Sequence, residues 1–148
     1  MLRVGKLTDY ATVVMTHLAC DPARLQSAAE IATELGLALP TVSKILKALL
    51  QHGLLVSHRG AKGGYTLARP PAEISVAAII AAIEGPIALT ECSDSDGLCD
   101  QERGCSVRGN WQRINRAVSA ALEGVTLAEL AEPGVQPLRF MRPGGSPV

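Results

Sequence analysis

The stretch Ser27-Ala28-Ala29-Glu30-Ile31-Ala32-Thr33-Glu34-Leu35-Gly36-Leu37-Ala38-Leu39-Pro40-Thr41-Val42-Ser43-Lys44-Ile45-Leu46-Lys47-Ala48-Leu49-Leu50-Gln51-His52-Gly53 contains two helix starts and two helix stops. Ser27-x-x-Glu30 is a capping box, in which each side chain satisfies a backbone N–H of the other's residue. The short helix it opens turns Ile31, Ala32 and Leu35 inward and stops at Gly36, a residue suited to the left-handed conformation of a helix end. Pro40 then falls in the first turn of a second helix, where its missing N–H has no intrahelical partner to lose. That helix reaches His52, with Gly53 as its stop. Its apolar positions Val42, Ile45, Leu46, Leu49 and Leu50 make one face and leave Thr41, Ser43, Lys44, Lys47 and Gln51 to solvent. Two short helices joined by a tight glycine-containing turn, the second basic and hydroxyl-bearing on its free face, form the pattern of a helix-turn-helix that reads a DNA major groove.

Outward from this unit the pattern continues. Leu54 to His58 and Tyr65 to Leu67 pair as strands around Arg59-Gly60-Ala61-Lys62-Gly63-Gly64, a wing whose tip offers Arg59 and Lys62 to a phosphate or a narrow minor groove. Upstream, Thr8 is expected to cap a helix from about Asp9 to Cys20, with Asp9 favourably placed in its first turn. Downstream of Arg69-Pro70-Pro71, Ser75 caps a helix over 76–84 that Gly85-Pro86 closes. An acidic loop without regular structure follows from Thr90 to Gly109, then a long helix over 110–123. Trp111, Ile114, Val118, Ala121 and Val125 make a seam that calls for a partner helix, in a symmetric dimer its own copy. Thr126-x-x-Glu129 is a second capping box, for a short last helix. The expected fold is mainly α with a small β-hairpin wing: a winged helix-turn-helix head at 1–69, a linker helix, cysteine loop and dimerisation helix at 70–132, and a disordered Pro/Gly-rich tail at 133–148.

Composition supports this reading. The 148 residues are 47% hydrophobic but only 3% aromatic, as befits a core of aliphatic helix faces. The net charge of zero hides an asymmetry of +4 through Arg69 and −4 beyond it, which points to a polyanion-binding first half, here double-stranded DNA. No apolar run approaches the roughly 18 residues of a membrane span. The N-terminus lacks a signal-peptide pattern, so the expected location is cytoplasmic. Lys44, Lys47, Arg59 and Lys62 would neutralise phosphates, Thr41 and Ser43 would reach base edges, and Ser27, at the start of the unit, is a further DNA-binding candidate.

Three of the four cysteines lie in the acidic loop as Cys92-x6-Cys99-x5-Cys105. In a reducing compartment they point to a metal or redox site rather than to disulfides. The spacing is wider than that of structural zinc sites and suits a larger iron-sulphur cluster. A cluster-free thiol redox switch also fits, and a small iron-sulphur redox protein would use the same thiols but leave the basic wing without a purpose. A fourth ligand must come from elsewhere: Cys20 reads as a small buried residue, and the loop acids Glu91, Asp94, Asp96, Asp100 and Glu102 rank second. The three histidines are scattered and no arrangement supplies an activated nucleophile or general base, so no enzyme is expected.

Leu7-Thr8-Asp9-Tyr10-Ala11, Leu39-Pro40-Thr41-Val42-Ser43-Lys44, the wing 59–65, Glu84-Gly85-Pro86 and the three cysteines resemble the IscR-type family of iron-sulphur-responsive repressors over about residues 1–132. Within it, residues 85–92 and 108–115 are similar to regulators of the SUF cluster-assembly operon. The resemblance implies a homodimer with crossed long helices and one cluster per protomer, regulating iron-sulphur cluster assembly genes. In the IscR branch a histidine three residues after the last cysteine completes a two-iron cluster, but Arg108 stands there in this chain. In the nitric-oxide-sensing branch an aspartate near the start of the first helix of the other subunit completes a four-iron cluster, and Asp9 matches it. A four-iron cube needs one protein ligand per iron, so three cysteines and Asp9 suffice, which favours [4Fe-4S] over [2Fe-2S].

Overall fold

The computed structural model describes residues 3–94, 97 and 99–133. Helix α1 (Lys6–Cys20) buries Ala11, Val14, Met15 and Leu18, spaced three and four apart on one face. It packs against α3 (Leu39–Gln51), which contributes Val42, Ile45, Leu46 and Leu49, and α3 in turn packs against α2 (Ala28–Leu35). Leu54 and Leu55 extend the same core into the hairpin. Strands β1 (Leu55–His58) and β2 (Gly64–Leu67) are antiparallel, with Leu55 opposite Leu67 and His58 opposite Gly64. The result is a winged helix: three helices, a helix-turn-helix in the last two, and a two-stranded wing.

The chain then returns to the head twice. A 3-10 turn at Pro71–Glu73 leads to α4 (Val76–Glu84), whose Ile79 and Ala82 join the core against α1 and α3. A short helix α5 (Glu91–Asp94) and a 3-10 turn (Glu102–Gly104) interrupt the cysteine loop, which is therefore more structured than its composition suggests. Helix α6 (Arg108–Glu123) follows, packed on α4 and α5, and α7 (Leu127–Ala131) returns to α1 with Leu127 fully buried. The two N-caps Ser75 and Thr126 sit side by side in a β-bridge, with the Val76 N–H on the Val125 carbonyl (2.9 Å) and the Leu127 N–H on the Ile74 carbonyl (2.8 Å). Among the described residues no helix is long and apolar enough to cross a membrane.

Three local expectations are corrected. Thr8 does not cap α1: the helix starts earlier, behind an extended Gly5, and Thr8 is buried inside its first turn with its hydroxyl donated to Glu84. Helix α6 begins at Arg108 rather than Asn110, because Gly109 is tolerated within a first turn. Cys20 is exposed, not buried, since it lies beyond the packed face at the very end of α1. Of the expected disordered tail, residues 134–148 lie outside the described residues.

Candidate nucleic-acid interface and sensor loop

Both capping boxes form as their sequences require. The Glu30 N–H donates to Ser27 Oγ (3.2 Å) and the Ser27 N–H to the Glu30 carboxylate (2.7 Å), which keeps the Glu30 carboxyl below its ordinary pKa. At the other end of α2, Gly36 adopts φ 64°, and its N–H closes the helix on the Ala32 and Thr33 carbonyls. This turn delivers α3 with its apolar side down. Ser43, Lys44 and Lys47 are consequently exposed, and Thr41 is half-buried in the first turn. Ser27 is half-buried, its oxygen already engaged in the cap.

The wing is fastened to the same unit. Gln26 pairs with Tyr65 through two backbone hydrogen bonds, so the segment entering α2 acts as a one-residue third strand beside β2. A Cβ on Gly64 would fall on the Gln26 carbonyl, which explains a glycine at a strand position. At the tip, Gly60 takes φ 123° and its carbonyl accepts the Gly63 N–H at 3.0 Å, leaving Arg59 and Lys62 exposed.

A polar network behind the helix-turn-helix was not apparent from sequence. Gln26 is buried, and its Oε1 lies 2.7 Å from His17 Nε2, which is also 3.3 Å from the Glu34 carboxylate. Both partners are acceptors, so Nε2 carries the proton. Arg24 grips Glu34 with two hydrogen bonds, which hold that carboxyl below the ordinary carboxylate range and raise the guanidinium pKa. Two of the four acids of the basic half, Glu30 and Glu34, are thus engaged by partners at or next to α2. A glutamine before a capping serine leaves no periodic signal, and only burial reveals its role.

In the loop, Cys92 lies on α5 while Cys99 and Cys105 are in irregular backbone; all three are half-buried free thiols. The Thr90 hydroxyl is 3.2 Å from Cys92 Sγ. Asp9 is exposed on the first turn of α1, as are Glu91, Asp94 and Asp100 in the loop, whereas Asp96 lies outside the described residues. Three thiols within one short segment are the donor set an iron-sulphur cluster takes up. Among the described residues, however, no three His, Cys, Asp or Glu side chains are gathered closely enough to hold a metal ion. Arg108, half-buried, is the first residue of α6. On α6, Trp111 and Ile114 are 41% and 44% exposed, so the front of the expected seam is uncovered in the single chain.

A family model described as "Rrf2: Iron-dependent Transcriptional regulator" matches residues 4–133. The chain belongs to the Rrf2 family. Among curated Rrf2-type relatives, the HTH-type transcriptional regulator IscR of Serratia proteamaculans (strain 568) is 32% identical over 102 residues, covering 69% of this chain and 62% of that protein. The chain thus spans somewhat less than two thirds of the length of the curated relatives it matches. Among solved structures, CymR, the global cysteine regulator of B. subtilis, superposes with a TM-score of 0.69 at 30% identity, covering 88% of this chain and 97% of that one. T. potens IscR gives 0.66 at 28% identity, covering 87% and 85%. The Rrf2 match agrees with the winged-helix architecture and with the IscR-type resemblance of the motifs, and these relatives are regulators rather than enzymes.

Proposed function

We propose that this Rrf2 chain is a cytoplasmic, homodimeric DNA-binding repressor of iron-sulphur cluster assembly genes that senses cluster status through Cys92, Cys99 and Cys105, completed by Asp9 of the partner subunit. The observation that carries the DNA reading is the bridged α2–α3–wing unit, on which Lys44, Lys47, Arg59 and Lys62 are all exposed. Lys44 and Lys47, three residues apart on α3, bind phosphates flanking the major groove, while Thr41 and Ser43 meet base edges. Ser27 contributes at most its hydroxyl proton, because its oxygen serves the cap. Arg59 and Lys62 reach the adjacent backbone or minor groove. Pairing of α6 with its copy covers Trp111 and Ile114 and sets two recognition helices about one duplex turn apart.

Three free thiols in one loop and an exposed carboxylate on α1 supply the ligands for an iron-sulphur cluster, with [4Fe-4S] favoured over [2Fe-2S] because Arg108 offers no imidazole. When bound, the cluster supplies an oxidant- and iron-sensitive link between one protomer's loop and the other's first helix. A tenfold change in operator affinity requires only about 1.4 kcal/mol of coupling. A second reading, a cluster-free thiol switch, is supported by the same three free thiols and by the likeness to CymR of Staphylococcus aureus, whose structure is known in an oxidized form. The deciding experiment is oxygen-free purification with iron and sulphide counts, then titration of a selected operator by loaded and apo protein at one salt concentration. Stoichiometric iron and sulphide with unequal affinities support the cluster reading. Iron-free protein whose binding responds to thiol oxidation supports the second. No duplex binding at any salt concentration would sink both.

A further inference from the structure

The segment leading from α4 to the first loop cysteine is held along α6 by two amide side chains three residues apart. Asn115, the one buried residue of α6, donates from Nδ2 to the Ile87 carbonyl (3.0 Å) and accepts the Leu89 N–H at Oδ1 (2.9 Å). It thereby satisfies the C=O and N–H of residues two apart, as a neighbouring strand would. Gln112 stands on the same side of the helix and donates from Nε2 to the Cys92 carbonyl (3.3 Å). The Thr90 hydroxyl lies 3.2 Å from Cys92 Sγ and 2.8 Å from Ser93 Oγ, so the turn that presents the thiol is hydrogen-bonded on both its backbone and its side-chain sides.

Packing alone does not call for an amide here. An apolar residue would fill the space without the desolvation cost of a buried amide, but it would take these partners from the Ile87 carbonyl and the Leu89 N–H and would set no register along the helix. An amide paired at both ends permits one register. The geometry points to Asn115 and Gln112 as positioning residues for Cys92, setting the first sensor thiol in a fixed place on the helix that also carries Trp111 and Ile114. The inference rests on the reading of Cys92 as a sensing thiol and adds a route: a change at Cys92 reaches the seam helix through single side chains, without passing through the head.

The test uses the full-length, reduced, cluster-free protein and measures iodoacetamide alkylation of Cys92 against Cys99 and Cys105 in the same molecules, by peptide mass spectrometry at one pH. Gln112→Met retains the length of the side chain and removes the donor; Gln112→Ala removes both. Both are expected to raise the Cys92 rate relative to the other two about fivefold, the factor matching one net hydrogen bond of about 1 kcal/mol. Asn115→Ala is expected to raise it further. An unchanged ratio in the two Gln112 variants overturns the inference, and so does an equal rise at all three cysteines, which marks general loosening. Because alkylation needs neither DNA nor iron, the ratio answers the question even where the operator titration rejects the sensing role.

Discussion

Ser27 Oγ accepts the Glu30 N–H while the Glu30 carboxylate accepts the Ser27 N–H, so α2 starts on a reciprocal pair of side chains. Ser27→Ala is expected to lower stability by about 1 kcal/mol and the melting temperature by roughly 2–4 °C, measured by calorimetry. The folded pKa of Glu30 lies below its ordinary value, chiefly through the Ser27 backbone N–H. Its contribution is therefore fully present above the unfolded pKa and is lost as pH falls through the lower, folded one. Urea titrations of the native protein and Glu30→Gln should differ by a constant amount above about pH 5.5 and converge in more acidic solution; a gap that persists at the acid end would contradict this assignment. Arg59 is exposed at the wing tip, where the proposed function has it meet a phosphate. Arg59→Ala should weaken operator binding and reduce the slope of log affinity against log salt by about 0.9, and an unaltered slope would remove Arg59 from the interface.

At the scale of elements, the wing depends on Gly64 for closeness rather than for an unusual dihedral. A methyl group there would strike the Gln26 carbonyl and the Ser27 nitrogen, both backbone atoms that cannot rotate away. Gly64→Ala should separate β2 from the start of α2 at a cost of about 1–3 kcal/mol, read as a lower urea midpoint and faster proteolysis near 59–64. An Ala variant that melts like the native protein would mean the Gln26–Tyr65 bridge is dispensable. Glu84 ties α4 to α1 by accepting the Gly5 N–H (3.0 Å) and the Thr8 hydroxyl. That tie is why Thr8 lies inside α1 rather than capping it: a buried hydroxyl is satisfied by a carboxylate 76 residues away, a partner no local pattern discloses.

For the whole molecule, α6 buries only Asn115 along its whole length and leaves Trp111 and Ile114 exposed. If the proposed homodimer pairs through α6, Ile114→Glu should shift its native mass toward that of the monomer and weaken operator binding, while the melting of the head is largely retained; an unchanged dimer would place the interface elsewhere. Both capping boxes, the Gly36 turn, the apolar face of α3 and the exposure of its basic residues were legible in the sequence, because each is written within a few residues in the period of a helix or the geometry of a cap. So were the wing and the family motifs. Tertiary structure alone decided that Gln26 bridges the wing and His17, that Glu84 takes the Thr8 hydroxyl, and that Asn115 and Gln112 hold the segment before and at Cys92. The reason is physical: periodicity reports which face of an element avoids water, whereas the partner of a buried polar atom is chosen by whichever distant segment the packing brings within hydrogen-bond reach.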